Sequence, residues 1–341
     1  MTPVCPVPSS SWTVAQVDGR RGPGRAREME LVRLDSLAAR AWPSPVVTIG
    51  NFDGVHRGHA ALVTAAARAR SDAGCVVALT FDPHPARLLA PDRAPATLTT
   101  LAQKEELLGA LGVDRLAVLP FTEELSLESP EEFARQVLRG ALEAKRVVVG
   151  ENFRFGQGRS GDVGQLQTLG TDLGFEVETI EPVLHEGQPI SSSRVREALG
   201  RGAVEESWAL LGHAFFIDGR VVEGERRGRT LGFPTANLET ENEILPSRGV
   251  YAARCRVSTG EWVPAVANLG RRPTFGGTRP SMEAHLIEFD GDLYGTHLRL
   301  EFQARLRDEQ RFPGPEALVE QIRQDVARAS GLVADPRAKG V

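Results

Sequence analysis

Thr48-Ile49-Gly50-Asn51-Phe52-Asp53-Gly54-Val55-His56-Arg57-Gly58-His59 is the stretch on which the fold of this chain turns. Pro45–Ile49 is a short β-branched run, the pattern of a buried strand. Ala60–Arg70 is alanine-rich and carries Leu62 and Val63, the pattern of a helix. Between them stand Gly50, Gly54 and Gly58, an acid and two histidines. A strand that passes through a glycine-rich turn into a helix makes a phosphate site. The glycines let the backbone come close, and the helix N-terminus offers free N–H groups and partial positive charge. His56 and His59 are three apart, so they share one face at the helix start and can donate hydrogen bonds to phosphate oxygens. No Gly-Lys-Ser/Thr follows, so this is not a Walker loop; the histidines stand where that motif has lysine. The plainer alternative is a surface turn with two solvated histidines.

Working outward, strands and helices alternate from Pro45 to about Ile180. Strands are predicted at 46–50, 75–81, 115–119, 146–149 and 175–180, and helices at 58–72, 101–111, 130–143 and 163–172. Such alternation implies a parallel sheet with helices on its faces, and ligands then bind beyond the carboxyl ends of the strands. Three further motifs fall there. Phe81-Asp82-Pro83-His84-Pro85 is forced into an extended path by its prolines, and His84 is either a solvated loop residue or, less simply, a third zinc ligand beside His56 and His59. Gly150-Glu151-Asn152-Phe153-Arg154-Phe155-Gly156 runs into a literal Gly-x-Gly-x-x-Gly at 156–161. A dinucleotide fingerprint needs its first glycine at the strand end, and here the strand ends six residues earlier, so a mobile loop is the better reading. Ile190-Ser191-Ser192-Ser193-Arg194-Val195-Arg196 opens a helix; its serines can cap N–H groups or bind phosphate oxygens, and its arginines bring positive charge to the same end.

After a helical run from Val204 to Leu211 the pattern changes. Segments 213–222, 250–257, 261–268, 282–289 and 297–306 read as strands without intervening helices, and one helix, Glu316–Arg328, follows. That is an antiparallel sheet, closed into a small barrel. Its motif is Gly224-Glu225-Arg226-Arg227-Gly228-Arg229-Thr230-Leu231-Gly232-Phe233-Pro234-Thr235-Ala236-Asn237. Glycines and basic residues form a loop that can wrap phosphates with backbone N–H groups. Thr235 and Asn237 are two apart, so in an extended segment both oxygens face one side and can meet one Mg²⁺.

The first stretch resembles the His-x-Gly-His signature of the nucleotidyltransferase superfamily, in the longer Phe-Asp-Gly form of the bacterial bifunctional riboflavin kinase/FAD synthetases. The segments at 81–85 and 150–156 resemble that family's Phe-Asp-Pro-His-Pro and Gly-x-Asn-Phe-x-Phe-Gly. Residues 190–196 are similar to the superfamily's second signature, with Ser193 where threonine is usual and Arg196 as the matching arginine. The loop at 224–237 resembles the riboflavin kinase signature, and Asn268–Phe275 and Met282–Leu286 also match. The resemblance covers residues 30 to about 330. It implies a Rossmann-like FMN adenylyltransferase domain at 29–211 and a β-barrel riboflavin kinase domain at 212–332. It makes Glu283 catalytic in the second, where general-base help suits a poorly nucleophilic hydroxyl, and His56, His59 and Arg196 catalytic in the first. Gly50, Phe52, Asp53, Gly54, Gly58, Asn152, Ser191, Ser192 and Arg194 are then nucleotide- or flavin-binding residues, with the aromatics at 153 and 155 shaping a flavin pocket. Gly224, Gly228, Arg229, Gly232 and Pro234 take that part in the kinase half, and Thr235 and Asn237 hold Mg²⁺. ATP is the co-substrate, and riboflavin, FMN and FAD are substrate and products. The rival readings are a transferase of the same superfamily with another acceptor, and a flavin-binding protein whose transferase site has decayed.

Bulk properties agree with two soluble domains. At 341 residues the chain can bury two cores, and 41% hydrophobic with 25% charged residues is ordinary for a globular protein. A net charge of −5 gives no reason to expect nucleic-acid or membrane binding, so anionic substrates need local positive patches. Cys5, Cys75 and Cys255 are odd in number and scattered, which argues for a reducing cytoplasm and against a disulfide framework. No apolar run approaches the roughly 18 residues of a membrane helix. Residues 1–28, rich in proline and arginine, read as a disordered tail, with Met29 as a candidate true start, and residues 333–341 read as a flexible tail.

Overall fold

The computed structural model describes residues 29–224, 231–274 and 277–333. The readings of 1–28 and of 334–341 as tails, and of Gly228 and Arg229 as phosphate contacts, lie outside the described residues. The chain forms two compact units: one runs to Phe215 and takes in Thr240–Ser247, and the other holds Phe216–Glu239 and the chain from Arg248 on.

In the first unit, β1 (Glu30–Arg33), β2 (Pro45–Ile49), β3 (Cys75–Asp82), β4 (Arg115–Pro120), β5 (Arg146–Gly150) and β6 (Glu176–Ile180) form one sheet in the order β1-β4-β3-β2-β5-β6. Every pairing in it is parallel. The valine runs explain why. Side chains alternate across a strand, and here both faces are covered. Val46, Val76 and Val148 join Phe52, Val63 and Leu108 in one core. Val47, Val77, Val147 and Val149 join Phe133, Leu138 and Leu142 in the other. The expected helices appear as α1 (Arg57–Ala69), α3 (Leu101–Ala110) and α6 (Val163–Leu173). Two short helices, α2 (Pro85–Leu89) and α4 (Glu123–Leu127), were not expected; each starts on a side-chain cap, from His84 and Thr122 respectively. The helix expected at 130–143 is instead one α-turn, α5 (Pro130–Phe133), continued as a wide π-helical stretch at Ala134–Ala141. Apolar spacing does not separate the two windings, because both bury the same side.

β2 lies between β3 and β5, so the chain leaves it toward one edge of the sheet and later returns on its other side. The crevice of this sheet therefore opens at the carboxyl ends of β2 and β5. The turns beginning at Gly50 and Gly150 both start there. A small hairpin, β7 (Leu184–His185) and β8 (Gln188–Pro189), then leads into α7 (Ser192–Arg201) and α8 (Val204–Leu211).

The second unit is a closed barrel. β9 (Phe216–Val222), β10 (Ala236–Thr240), β11 (Gly249–Arg256), β12 (Trp262–Thr274), β13 (Gly277–Leu286) and β14 (His297–Arg307) follow the order β10-β13-β12-β11-β14-β9. Its pairings are antiparallel. β12 runs further than apolar alternation foretells, since Arg271-Arg272-Pro273 carries none of it, and β13 starts earlier than the expected 282 and ends at Leu286 instead of 289. Tyr251 and Phe302, both completely buried, meet edge to face at 5.5 Å inside the barrel.

The closing helix α9 (Pro315–Val333) packs Ala329 and Val333 against Val250, Ala252, Val266 and Leu306. Val333, expected in the tail, is thus a core residue. Asp325, at 1% side-chain exposure, accepts from Arg307 Nε and a terminal guanidinium nitrogen at 2.8–3.2 Å. Removing one partner of a buried pair strands the other's charge. Asp325→Ala should therefore destabilise the barrel by about 3–5 kcal/mol, and Arg307→Met with Asp325→Leu should restore most of it. Urea unfolding followed by tyrosine fluorescence checks both.

Candidate functional site

The turn after β2 is shaped by its glycines. Gly54 has φ +79°, and a Cβ there would lie 2.8 Å from Leu98 Cδ1, so both conformation and space demand glycine. A Cβ on Gly58 would lie 3.0 Å from the His56 ring. His56 caps α1 through Nδ1, which accepts the His59 N–H at 3.3 Å. The two imidazoles stack at 3.7 Å and 13°. Phe52, expected to touch nucleotide, is instead completely buried and stands edge-on to His59 at 5.2 Å. It braces the histidine from behind.

An accepting Nδ1 puts the proton of neutral His56 on Nε2, ready to be donated. Burial pushes His56 down to about 4, against a smaller upward pull from its backbone hydrogen bond. Burial, and then the charges of His56 and Lys104, hold His59 well below the usual histidine range. Both are therefore neutral near pH 7 and able to donate one hydrogen bond each. A histidine depressed on folding binds fewer protons than in the unfolded chain. For His56 the window runs from its ordinary 6.5 to about 4, so stability is complete above pH 6.5 and falls as pH drops toward 4. His56→Asn keeps a capping acceptor and removes the titration. It should flatten the slope of the first unit's unfolding midpoint across that window, measured by calorimetry.

Asp53 also turns inward. One carboxylate oxygen accepts the N–H groups of Leu98 at 2.8 Å and Thr99 at 3.3 Å. The other pairs with Arg196, whose Nε donates to the Ala96 carbonyl at 2.7 Å. Ser192 Oγ donates to the Asp53 carbonyl at 2.9 Å. The N-terminus of α7 is thus tied to the histidine turn through one buried acid. Asp53, His56 and His59 are thus brought together with Ser192 and Arg196, although Ser192 stands 139 residues beyond Asp53 in the chain.

The remaining expected residues of this half make contacts of their own. Ser191 caps α7 by accepting the Arg194 N–H. The Arg194 guanidinium donates to the carbonyls of Gln188 at 2.9 Å and Pro189 at 3.1 Å, bracing the β7–β8 hairpin. Asn152 is exposed in the turn after β5. Phe155 belongs to a core, and the half-buried Phe153 stacks on it at 5.5 Å. The 156–161 loop is closed by paired backbone hydrogen bonds between Phe155 and Gly161. His84 caps α2, and its Nε2 lies 3.1 Å from Asn51 Nδ2. Among the described residues no cluster of three His, Cys, Asp or Glu could hold a metal, so zinc finds no support.

Lys104 is the residue that reading by motif missed. Its Nζ donates to Thr80 Oγ1 at 3.4 Å, and that hydroxyl donates to the Asn51 carbonyl at 3.2 Å. A lysine on a helix reads as a solvated face residue, and no spacing rule points to it.

In the second unit, Glu283 on β13 stands in register with Asn237 on β10 and Asn268 on β12. Thr235 Oγ1 donates to Glu283 Oε2 at 3.4 Å. A Cβ on Gly224 would fall 2.0 Å from Asn237 Nδ2, so glycine alone lets the two segments approach. Gly232 has φ +85°, and the Pro234 carbonyl meets His285 Nδ1 at 2.8 Å. A hydroxyl and an amide are hard oxygen donors beside a carboxylate, which fits Mg²⁺, an ion that keeps waters and phosphate oxygens in its shell.

Residues 39–194 match the family model described as FAD synthetase, and residues 211–333 the one described as riboflavin kinase. The bifunctional riboflavin kinase/FMN adenylyltransferase of Escherichia coli K12 is 40% identical over 299 residues, 87% of this chain and 96% of that protein. The protein of the same description from Pseudomonas fluorescens is 41% identical over 293 residues, 85% of this chain and 93% of its own. A crystal structure described as a macrolide-efflux protein from Streptococcus pneumoniae shares the fold with a TM-score of 0.81 at 30% identity, covering 88% of this chain and 99% of that one. Among the described residues no helix is long and apolar enough to cross a membrane. With both domains matched in this order, and relatives aligned over nearly their whole length, the chain belongs to the bifunctional riboflavin kinase/FMN adenylyltransferase family.

Proposed function

We propose that the chain makes FAD from riboflavin in two steps. The domain at 212–332 transfers the γ-phosphoryl of ATP to the ribityl hydroxyl of riboflavin. The domain at 29–211 transfers the AMP of a second ATP to the FMN so formed and releases pyrophosphate. The observation that carries the second step is the meeting of the stacked His56–His59 pair with Ser192 and the Asp53–Arg196 pair in the crevice of the parallel sheet.

In the kinase step Glu283 takes the proton of the attacking hydroxyl. Thr235 and Asn237 would hold Mg²⁺, which supplies positive charge to the phosphates. Gly224, Gly228, Arg229, Gly232 and Pro234 line the phosphates and flavin. In the adenylyl step the nucleophile is an ionised phosphate, so no base is needed; the work is to position two polyanions and meet charge developing on the leaving group. His56 and His59 donate to phosphate oxygens. Gly50, Gly54 and Gly58 keep the backbone open to them, Phe52 and Asp53 support the turn, and Asn152, Ser191, Ser192 and Arg194 border the nucleotide and flavin. The setting is the cytoplasm and the partners are small molecules: ATP, riboflavin and FMN.

Chromatography of products from riboflavin, ATP and Mg²⁺ tests this. FMN followed by FAD is expected. FMN alone would leave the acceptor of the histidine site open, and bound flavin without product would favour a binding protein.

A further inference from the structure

The adenylyl-transfer site is short of free positive charge. His56 and His59 are neutral near pH 7, Arg196 shares its charge with Asp53, and Arg194 is committed to hairpin carbonyls. ATP and FMN, both polyanions, must nevertheless be held against each other there.

Lys104 meets that need. It projects from α3 to the end of β3, where its Nζ rests on Thr80 Oγ1 at 3.4 Å. Thr80 gives its one hydroxyl hydrogen to the Asn51 carbonyl, so the ammonium stands at the root of the histidine turn. Among the described residues no carboxylate forms an ion pair with it; burial holds it below the usual lysine range, against a smaller upward pull from the more distant Asp53 and Asp82. Its charge is felt by both His59 and His84. An ammonium has three donors, and a single hydroxyl contact leaves two for a ligand.

We propose that Lys104 is a catalytic residue of adenylyl transfer, donating to the phosphates of ATP that leave as pyrophosphate. The proposal rests on the reading of the first domain as an FMN adenylyltransferase. In the step, an FMN phosphate oxygen bonds to the α-phosphorus. The bond from that phosphorus to the oxygen bridging to the β-phosphorus breaks, and the bridging oxygen keeps the electron pair. Lys104 meets the negative charge that grows on this leaving group.

The full chain carrying Lys104→Met, with Lys104→Arg beside it, tests this in both directions: FMN with ATP, and FAD with pyrophosphate. Lys104→Met should lower kcat/KM for FAD formation by about 10²-fold, the scale of one lost transition-state donor. It should also raise the KM for pyrophosphate in the reverse direction, and Lys104→Arg should recover most of both. Riboflavin phosphorylation by the same preparation should stay at the wild-type rate. FAD formation and pyrophosphate KM within about twofold of wild type would overturn the proposal. So would a slower enzyme with unchanged pyrophosphate KM and no rescue by arginine, the mark of a merely structural lysine. Should Lys104→Met unfold its domain, Lys104→Gln, with a polar head on a similar stem, carries the same two readouts. A wild-type chain that makes no FAD from FMN would sink the reading beneath; a competent wild type beside an unchanged variant would sink this proposal alone.

Discussion

Glu283→Ala should slow formation of FMN from riboflavin by about 10²–10⁴-fold, the usual worth of a positioned base, while FMN supplied directly is still converted to FAD at the wild-type rate. A primary hydroxyl holds its proton at neutral pH, so attack on the γ-phosphorus gains from a carboxylate within reach of that proton. Glu283 is half-buried on β13, cross-strand from Asn237 and Asn268, and accepts from Thr235. Those neighbours hold the carboxylate on the same patch as the proposed Mg²⁺ oxygens. Alanine leaves the backbone ladder intact, so the barrel should keep its unfolding free energy to within about 0.5 kcal/mol, as for other partly exposed substitutions. Glu283→Gln should lose nearly as much activity, because an amide keeps the shape and not the basicity. Steady-state rates with riboflavin and with FMN, on the same preparations, separate the two steps. FMN formation at the wild-type rate in either variant would show that Glu283 is not the base.

What the sequence discloses follows from what each residue advertises. The parallel sheet is legible because Val46-Val47, Val76-Val77 and Val147-Val148-Val149 are buried on both sides and need no alternation. The barrel is legible because segments such as 250–257 follow one another with no helix between them. β10 is harder: Ala236–Thr240 is short and follows a loop whose residues announce phosphate chemistry, so no strand is expected there. Motif matching names His56, His59, Ser192 and Arg196 but not their states. Whether a histidine is charged depends on burial, and whether an arginine is free depends on an acid such as Asp53, distant in sequence. Arg194 and Arg196 look alike in the chain. One is spent on a hairpin, and the other is locked to the site. Lys104 belongs to no motif, and only the fold brings it to Thr80.

His59→Ala should make the enzyme accumulate FMN. With riboflavin and ATP the kinase step continues, whereas adenylylation should fall by about 10²–10³-fold, the cost of losing a preorganised donor to developing negative charge. In the proposed mechanism His59 works as a neutral group. Its ring is clamped between His56 at 3.7 Å and Phe52 at 5.2 Å, and burial keeps it uncharged. Its Nδ1 is buried without a hydrogen-bond partner. An unprotonated nitrogen is the cheaper one to leave unpaired, which puts the proton on Nε2 for a phosphate oxygen. Alanine removes the donor and also a packed ring, so loss of packing must be told from loss of the hydrogen bond. Phe52→Leu does this: it loosens the brace, keeps the donor, and should cost stability more than rate. His59→Gln, with an amide donor on a flexible stem, should recover part of the adenylylation without restoring the stack. Time courses of FMN and FAD by chromatography, beside the unfolding midpoint of each variant, separate these effects. FAD appearing from His59→Ala as fast as from wild type, with no FMN building up, would remove His59 from the mechanism and leave the phosphates to Arg196, Lys104 and the helix N-terminus.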